Sequence, residues 1–263
     1  MLIDTHGHLN FKAFNEDRAE VIERIRKTPM QVVMPSSQYQ TSSQAVELAK
    51  QHDFLFAAIG IHPIHVWQEE FDQAKYQSLI DSGQVTAIGE TGLDYFHFGN
   101  PDKPFDETKK KQFALFNNFI KLALADDLPL IVHGRFSDEH PEAYQDILSV
   151  LQSQKVKRAV IHCYTGYPDD AQKFIEAGYY LGFTGIITFD KTGNLESVVR
   201  ETPIEQILIE TDAPYLTPEP YRGKRNEPTY VIEVARKIAE IKQLELEQVV
   251  EQVNANAKKH FKI

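Results

Sequence analysis

The sequence is poor in cysteine and has no long hydrophobic run. Cys163 is its one cysteine in 263 residues, so no disulfide can form within the chain, and a reducing, cytoplasmic compartment fits this composition. The longest uncharged apolar stretch, Phe54–Ile61, is far shorter than the roughly 18–20 residues of a membrane helix. The N-terminus also lacks the basic and apolar regions of a signal peptide. We therefore expect no membrane partner.

Fixed-period repeats and low-complexity linkers are also absent, which favours one domain over residues 1–263. Hydrophobic residues make up 42% and charged residues 25% of the chain, which is typical of globular proteins and excludes global disorder or a fibre. The chain has 28 Lys and Arg against 38 Asp and Glu, a net charge of −10. This charge argues against a nucleic-acid coat protein, because such proteins bind phosphates with positive charge. An enzyme that meets phosphates through metal ions stays compatible with it.

Short apolar runs alternate with longer amphipathic segments along the whole chain. The apolar runs are rich in Val, Ile, Leu and Phe, which is typical of strands buried on both faces. The predicted strands are Leu2–His8, Gln31–Ser36, Leu55–His62, Val85–Glu90, Leu128–His133, Arg158–His162, Tyr179–Thr184 and Gln206–Asp212. The predicted helices are Asp17–Lys27, Thr41–Gln51, Thr108–Asp126, Pro141–Gln152, Asp169–Ala177, Pro228–Ile241 and Glu245–His260, with weaker stripes over Asp72–Ile80 and after Lys191. Residues 98–106 are predicted to form a long loop.

Eight strands, each followed by a helix or loop, predict an α/β protein with a single (β/α)8 TIM barrel. A doubly wound open sheet is the alternative. No Gly-x-Gly-x-x-Gly turn follows the first predicted strand, so the pattern favours the barrel.

Most of the predicted strands end in a histidine or a carboxylate. The C-terminal ends of all strands of such a barrel meet at one rim, where its active sites lie. Six side chains from five strand ends are therefore predicted to converge: His6, His8, Glu90, His133, His162 and Asp212. Four imidazoles and two carboxylates exceed the ligands of one catalytic zinc and favour two adjacent divalent cations, Mg, Mn or Zn. Glu90 is predicted to bridge them, since each of its two oxygens can take one cation.

Asp212 is predicted to have a second, catalytic role as the group that orients and deprotonates the attacking water. A role as ligand alone is the alternative. Glu210 lies two residues earlier, on the same inward face, and is expected to support a ligand. Asp4 stands in the same relation to His6. We expect the thiol of Cys163 to point away from the rim into the core, and we expect four histidines at the surface: His52, His97, His140 and His260.

Several sequence blocks resemble the TatD family of metal-dependent deoxyribonucleases, which belongs to the amidohydrolase-like metal barrels. The blocks are Asp4-Thr5-His6-Gly7-His8, Gly60-Ile61-His62-Pro63, Gly89-Glu90-Thr91-Gly92-Leu93-Asp94-Tyr95, His162-Cys163-Tyr164-Thr165-Gly166, Glu210-Thr211-Asp212-Ala213-Pro214-Tyr215-Leu216 and Arg222-Gly223-Lys224-Arg225-Asn226-Glu227-Pro228. The resemblance runs from residue 3 to residues 254–256.

The resemblance implies a hydrolase of DNA phosphodiester bonds, often a 3′-to-5′ exonuclease, that uses magnesium or another divalent ion. It implies that His6 and His8 bind the first metal, that Glu90 bridges, and that His133 and His162 bind the second. Asp212 would touch the first metal and the attacking water. His62 and Arg135 would contact the scissile phosphate.

The loop after the last strand adds Arg225 to the expected substrate contacts. Three cations in Arg222–Arg225 would give the rim of an acidic protein a positive lip, and an ordinary solvated loop is the alternative. A surface salt bridge is likewise the alternative for Arg135. Trp67 and Tyr95 could stack on bases, but packing is the favoured interpretation.

Three residues depart from the family pattern. Ile64 follows Pro63 where the family commonly has a second histidine, with His65 one place later, and this leaves substrate choice open. Gly134 stands where serine is common, and Asn10 where aspartate is common. None of these positions is a predicted metal ligand.

Two rival functions use the same ligand set. A barrel hydrolase acting on a small ester, lactone or amide is the first, although strand four supplies Glu90 and not a lysine that could be carbamylated. A non-enzymatic metal-binding barrel is the second, and loss of activity on chelation would separate the two classes. Nothing in the sequence points to an obligatory protein partner.

Overall fold

The computed structural model describes residues 1–97 and 103–263. Its strands are β1 (Leu2–Asp4), β2 (Met30–Met34), β3 (Leu55–Ile59), β4 (Val85–Asp94), β5 (Leu130–Arg135), β6 (Ala159–Ile161), β7 (Tyr180–Phe183) and β8 (Ile207–Ile209). Its helices are α1 (Arg18–Lys27), α2 (Tyr39–Gln51), α3 (Gln73–Ile80), α4 (Phe105–Ala125), α5 (Ala143–Ser153), α6 (Pro168–Glu176), α7 (Asn194–Glu201), α8 (Val231–Lys242) and α9 (Leu246–Phe261). Much of the predicted loop 98–106 lies outside the described residues, and its last two residues belong to α4.

The eight strands form one parallel sheet in sequence order, β1 to β8. Hydrogen bonds just past the strand ends join β8 back to β1: the Thr5 N–H donates to the Ile209 carbonyl at 3.1 Å, and Gly7 bridges Ala213 in parallel. The predicted (β/α)8 TIM barrel is confirmed. The two weaker helix predictions are also confirmed, as α3 and α7.

Most strands are shorter than predicted at their C-terminal ends. β1, β3, β6 and β8 end before their polar residues, which occupy the first positions of the loops. β4 and β5 instead continue through Asp94 and Arg135. The register between β4 and β5 shifts between Ile88 and Thr91, so a bulge falls at Glu90. Bulges re-aim side chains, and this one turns Glu90 towards the barrel mouth.

Two apolar cores hold the barrel together. The larger lies between the sheet and the surrounding helices. The smaller fills the barrel interior with one side chain from each of seven strands: Ile3, Val33, Ala58, Ala87, Ile131, Val160 and Leu208. Ala257 and Phe261 of α9 pack into the same cluster, so α9 closes the end of the barrel away from the polar strand ends.

The surface position predicted for His260 is wrong. His260 is 1% exposed, and its ring lies 5.0 Å from that of Tyr180. It follows Ala257 by three residues and therefore shares the buried stripe of α9. Among residues 1–97 and 103–263, no helix is long and apolar enough to cross a membrane.

Candidate metal centre

A cavity of about 770 Å³ opens at the C-terminal rim of the barrel. The structure brings all six predicted ligands to it: His8, Glu90, His133, His162 and Asp212 line the cavity, and the fully buried His6 lies directly against them.

The first group of ligand atoms comes from the segments that follow β1 and β8. The Nε2 atoms of His6 and His8 are 3.2 Å apart. Asp212 Oδ1 lies 3.1 Å from His8 Nε2 and 3.7 Å from His6 Nε2. One carboxylate oxygen of Glu90, Oε2, lies 3.4 Å from His6 Nε2. The three residues that follow β1 and β8 could hold one cation.

The other carboxylate oxygen of Glu90 faces a second group. Oε1 lies 2.8 Å from His133 Nδ1, 3.4 Å from His62 Nε2 and 3.8 Å from His162 Nε2. The two oxygens of one carboxylate therefore face two different sets of imidazoles. A bridging ligand between two cations requires this arrangement.

In three of these histidines, the nitrogen that faces away from the other predicted ligands contacts an oxygen acceptor. The pairs are His8 Nδ1 with the Pro35 carbonyl at 3.0 Å, His162 Nδ1 with Glu210 Oε2 at 2.8 Å, and His133 Nε2 with Asp94 Oδ2 at 3.0 Å. A nitrogen beside an acceptor carries the ring proton, so in the neutral ring the other nitrogen presents a lone pair. This is the usual support of metal-ligating histidines, and the donor set therefore fits divalent cations.

His62 has the opposite hydrogen-bond pattern. Its Nδ1 accepts a hydrogen bond from the Ile64 N–H at 3.2 Å, so the neutral ring carries its proton on Nε2. That Nε2–H points at Glu90 and at His133 Nδ1, 3.1 Å away. Burial and the positive charge of His133 lower the pKa of His62 and keep it neutral. His62 therefore offers the cavity a hydrogen-bond donor, whereas His133 Nδ1 offers a lone pair only once its proton is lost.

Both carboxylates of the cluster are ionised. Burial alone would raise the pKa of Glu90, but its electrostatic interactions with His62 and His162 and the hydrogen bond from His133 hold it well below its ordinary value. The pKa of Asp212 is lowered against the effect of burial by its contact with His8 and by the charge of His162.

The imidazoles differ from one another in basicity. Burial lowers the pKa of His6 to about 4, helped by the charge of His162. Burial also disfavours charge on His133, but hydrogen bonds to Asp94 and Glu90 raise its pKa to about 10. Protons and cations therefore compete for His133 Nδ1.

Asp94 is a supporting residue to which the sequence reasoning gave no role. It is 1% exposed at the end of β4, and besides His133 it accepts from the N–H groups of Phe96 (2.9 Å) and His97 (2.6 Å). Nothing local in the sequence marked it, because the predicted strand ended at Glu90 and β4 continues to Asp94. Gly92, with φ +146°, lets β4 approach β5 here, because an added Cβ would lie 2.1 Å from the His133 carbonyl oxygen.

The two expected supporting carboxylates differ. Glu210 contacts the imidazole of His162 as expected of a supporting residue, and it also accepts from the Cys163 N–H at 2.9 Å. Asp4 instead fixes the backbone, because its carboxylate accepts hydrogen bonds from the N–H groups of His6 (3.1 Å) and Thr211 (2.9 Å). Burial raises the pKa of Asp4 to about 7.

The core position predicted for Cys163 is wrong. Its side chain is partly exposed and lines the cavity, with Sγ 3.4 Å from Thr184 Oγ1. Because β6 ends at Ile161, strand alternation does not reach Cys163, whose φ of +44° belongs to a turn. Burial and the charge of Asp212 raise the pKa of the thiol well above its ordinary value, so the thiol stays protonated.

Two of the three predicted substrate contacts line the cavity, and the third does not. His62 and Arg135 are lining residues, and the Arg135 guanidinium lies 4.7 Å from the centre of the Phe96 ring. The structure does not bring Arg225 to the cavity. Its guanidinium pairs with both carboxylate oxygens of Asp17, at 2.8 and 2.5 Å, in an ion pair that no local pattern reveals.

The remaining aromatic and histidine predictions are settled by burial. Tyr95 is fully buried and its hydroxyl donates to Asp146, and the half-buried Trp67 donates from Nε1 to Thr108, so both pack as favoured. His97 is exposed as expected. His52 and His140 are half-buried, and His140 stacks on Phe105.

Comparison with known proteins places this barrel in a family. The sequence model of the family described as TatD related DNase matches residues 3–262. An uncharacterized metal-dependent hydrolase, YabD of Bacillus subtilis, is 38% identical over 267 residues and 100% of both chains. The 3'-5' ssDNA/RNA exonuclease TatD of Erwinia tasmaniensis is 30% identical over 273 residues, again 100% of both chains. The crystal structure of YJJV, a TatD homologue from Escherichia coli, superposes with a TM-score of 0.89 at 25% identity, covering 100% of this chain and 98% of that one. The chain therefore belongs to the TatD-related family of metal-dependent hydrolases.

Proposed function

We propose that the protein is a deoxyribonuclease that cleaves DNA phosphodiester bonds in the 3′-to-5′ direction with two divalent cations. The observation that carries the proposal is that the two carboxylate oxygens of Glu90 face two different groups of imidazoles. His62 places a fixed N–H donor beside them. The exonuclease name of the Erwinia relative supports a nucleic-acid substrate.

The first cation would be held by His6, His8 and Asp212, the second by His133 and His162, and both by Glu90. When bound, two divalent cations neutralise charge on the phosphoryl oxygens and lower the pKa of the attacking water. The supporting contacts of Asp94 and Glu210 keep the second pair of imidazoles in the tautomer that this requires.

Asp212 is the proposed general base. Its side chain is 15% exposed, so water reaches it from the cavity, and its lowered pKa keeps it ionised at neutral pH. One oxygen, Oδ1, is engaged with His8, which leaves Oδ2 to orient the attacking water and accept its proton.

His62 and Arg135 are the proposed phosphate contacts. His62 presents Nε2–H, a neutral donor that can bind a phosphoryl oxygen without competing for the cations. Arg135 ends β5 with an exposed side chain and can grip a phosphate with two hydrogen bonds. Both line the same cavity as Glu90.

The test is hydrolysis by cation-reconstituted protein of labelled single-stranded DNA, duplex DNA, RNA and a panel of small esters, lactones and amides. Asp212→Asn should lower turnover on DNA by roughly 10²–10⁴-fold, the scale of general-base loss, with little change in affinity. Arg135→Ala should instead raise KM at least as much as it lowers turnover. Asp53→Asn, an exposed carboxylate ahead of β3, is the matched control.

Near-normal turnover of Asp212→Asn with both cations bound would show that Asp212 is a ligand alone. If the variant loses a cation, the pH–rate profile of the native enzyme decides the base role. Hydrolysis of a small ester without any cleavage of nucleic acid would overturn the proposed function.

A further inference from the structure

Large apolar side chains that face solvent divide between the two ends of the barrel. Those exposed among residues 1–97 and 103–263 are Met1, Leu124, Leu244, Phe96, Tyr167 and Tyr215. The three aliphatic ones precede β1 or lie at the C-terminal ends of α4 and α8, which is the end of the barrel away from the cavity. The three aromatic ones all lie at the cavity end.

The three aromatic side chains follow alternate strands at the cavity end of the barrel, over half of its circumference. Phe96 follows β4, Tyr167 follows β6, and Tyr215 follows β8. Because the strands stand in sequence order around the barrel, successive members are two strands apart, and Phe96 and Tyr215 face each other across the mouth. Their exposures of 53%, 52% and 54% are large for aromatic rings.

Phe96 and Tyr215 are tied directly to the chemical groups of the site. The Arg135 guanidinium, a proposed phosphate contact, lies over the Phe96 ring at 4.7 Å. Tyr215 lines the cavity, and its N–H donates to the Asp212 carbonyl at 2.8 Å, which fixes its position relative to the proposed base. Each ring therefore stands beside a group that would contact the phosphate or the water.

The chemistry of these rings selects one kind of occupant. An aromatic face left in solvent beside a cation-backed phosphate site matches a ligand with alternating phosphates and planar, unpaired bases. A small ester or amide bound at the cations would not reach both sides of the mouth. A base-paired duplex would keep its base faces stacked within the helix and unavailable to the rings.

We propose that Phe96 and Tyr215 stack on nucleobases on opposite sides of the metal centre, so that the enzyme recognises bases as well as phosphates. The inference rests on the proposed function. One base would lie on Phe96 and Arg135, the other on Tyr215, and the phosphate between them would lie over Glu90. Tyr167, which follows β6, lies midway between Phe96 and Tyr215 in the order of the strands.

The experiment compares two oligonucleotides of equal length, one of deoxythymidine and one in which every sugar carries no base. Both present the same phosphates to the cavity. Wild-type protein should hydrolyse the thymidine strand with a kcat/KM at least roughly ten-fold above that of the abasic strand. Phe96→Leu and Tyr215→Leu, which keep apolar bulk but lose the π face, should each reduce the ratio of the two kcat/KM values several-fold, through a higher KM on the thymidine strand.

Tyr215→Phe should keep the preference, because it retains the ring. Leu124→Ala, an exposed apolar residue at the opposite end of the barrel, should behave as wild type. Equal hydrolysis of the two oligonucleotides by wild-type protein overturns the stacking proposal alone. So does an equal loss of kcat/KM on both oligonucleotides in the leucine variants. Failure to hydrolyse either strand overturns the proposed function, and the stacking proposal with it.

Discussion

Asp94→Asn should disable one cation site by moving a proton between the nitrogens of one histidine. The Asp94 carboxylate uses Oδ2 for His133 Nε2 and Oδ1 for the N–H groups of Phe96 and His97. Asparagine has one acceptor oxygen. If that oxygen keeps the two backbone donors, its NH₂ group faces His133 Nε2, which must then accept, and the ring proton moves to Nδ1. That nitrogen faces Glu90, and once protonated it cannot bind a cation.

Glu210→Gln is the matched comparison, because it also replaces a buried carboxylate behind a predicted ligand. Glu210 uses one oxygen, Oε2, for both His162 Nδ1 and the Cys163 N–H. Its Oε1 has no hydrogen-bond partner in the described part of the chain. Glutamine can place its oxygen at the Oε2 position and keep both bonds, so the tautomer of His162 is preserved.

Loss of a supporting hydrogen bond typically lowers metal affinity by about 10–100-fold, or about 1.4–2.7 kcal/mol. We expect Asp94→Asn to lower the affinity for one of the two cations by about 100-fold or more. Glu210→Gln should lower it by about 10-fold or less. Calorimetric titration of metal-free protein with Mn²⁺ measures the affinities, and the ¹⁵N shifts of the His133 ring, recorded with diamagnetic Mg²⁺ or Zn²⁺ present, report which nitrogen carries the proton. Thermal denaturation checks that both variants fold. Unchanged binding by Asp94→Asn, or a larger loss in Glu210→Gln, would refute the tautomer argument.

Two further predictions concern the bridge and the buried histidine of α9. Glu90→Ala should reduce the occupancy of both cation sites, whereas His133→Ala should mainly reduce the occupancy of one. Elemental analysis of the purified variants measures the cation content. Loss of a single ion in both variants would reject the bridging role of Glu90. Burial lowers the pKa of His260 from 6.5 to about 3, so on acidification the unfolded chain takes up the proton first. The free energy of unfolding should therefore fall by up to about 1.4 kcal/mol per pH unit as the pH falls from 6.5 towards 3. Urea unfolding of wild type and His260→Leu measures this, and an identical pH slope in both would contradict it.

The convergence of the metal centre could be predicted because barrel topology gathers strand ends. A histidine or carboxylate that ends an apolar run, such as His162 or Glu90, is marked by its position in the sequence. The supporting role of Asp94 could not be found in this way. It depends on the register between β4 and β5, which is shifted at the bulge and has no local signature.

The errors have a common physical origin in contacts beyond the local pattern. Cys163 was placed by strand alternation, which stops at the end of β6 two residues earlier. His260 was judged by its polarity, although helical spacing from Ala257 places it on a buried face. Arg225 was assigned to the substrate because three cations cluster in its loop, and its ion-pair partner in the structure, Asp17, lies 208 residues away in the sequence.

The packing of α9 into the barrel interior has a consequence for the order of synthesis. The inner cluster joins Ile3 of β1 to Ala257 and Phe261 of α9, so all the other strands are synthesised between its first and its last members. A growing chain can pair its strands and cover them with helices as each emerges, but it cannot cover the floor of the barrel until residue 261 has left the ribosome. Until then the apolar side chains of Val33, Ala58 and their neighbours stay open to water from below, and the nascent barrel is exposed to aggregation.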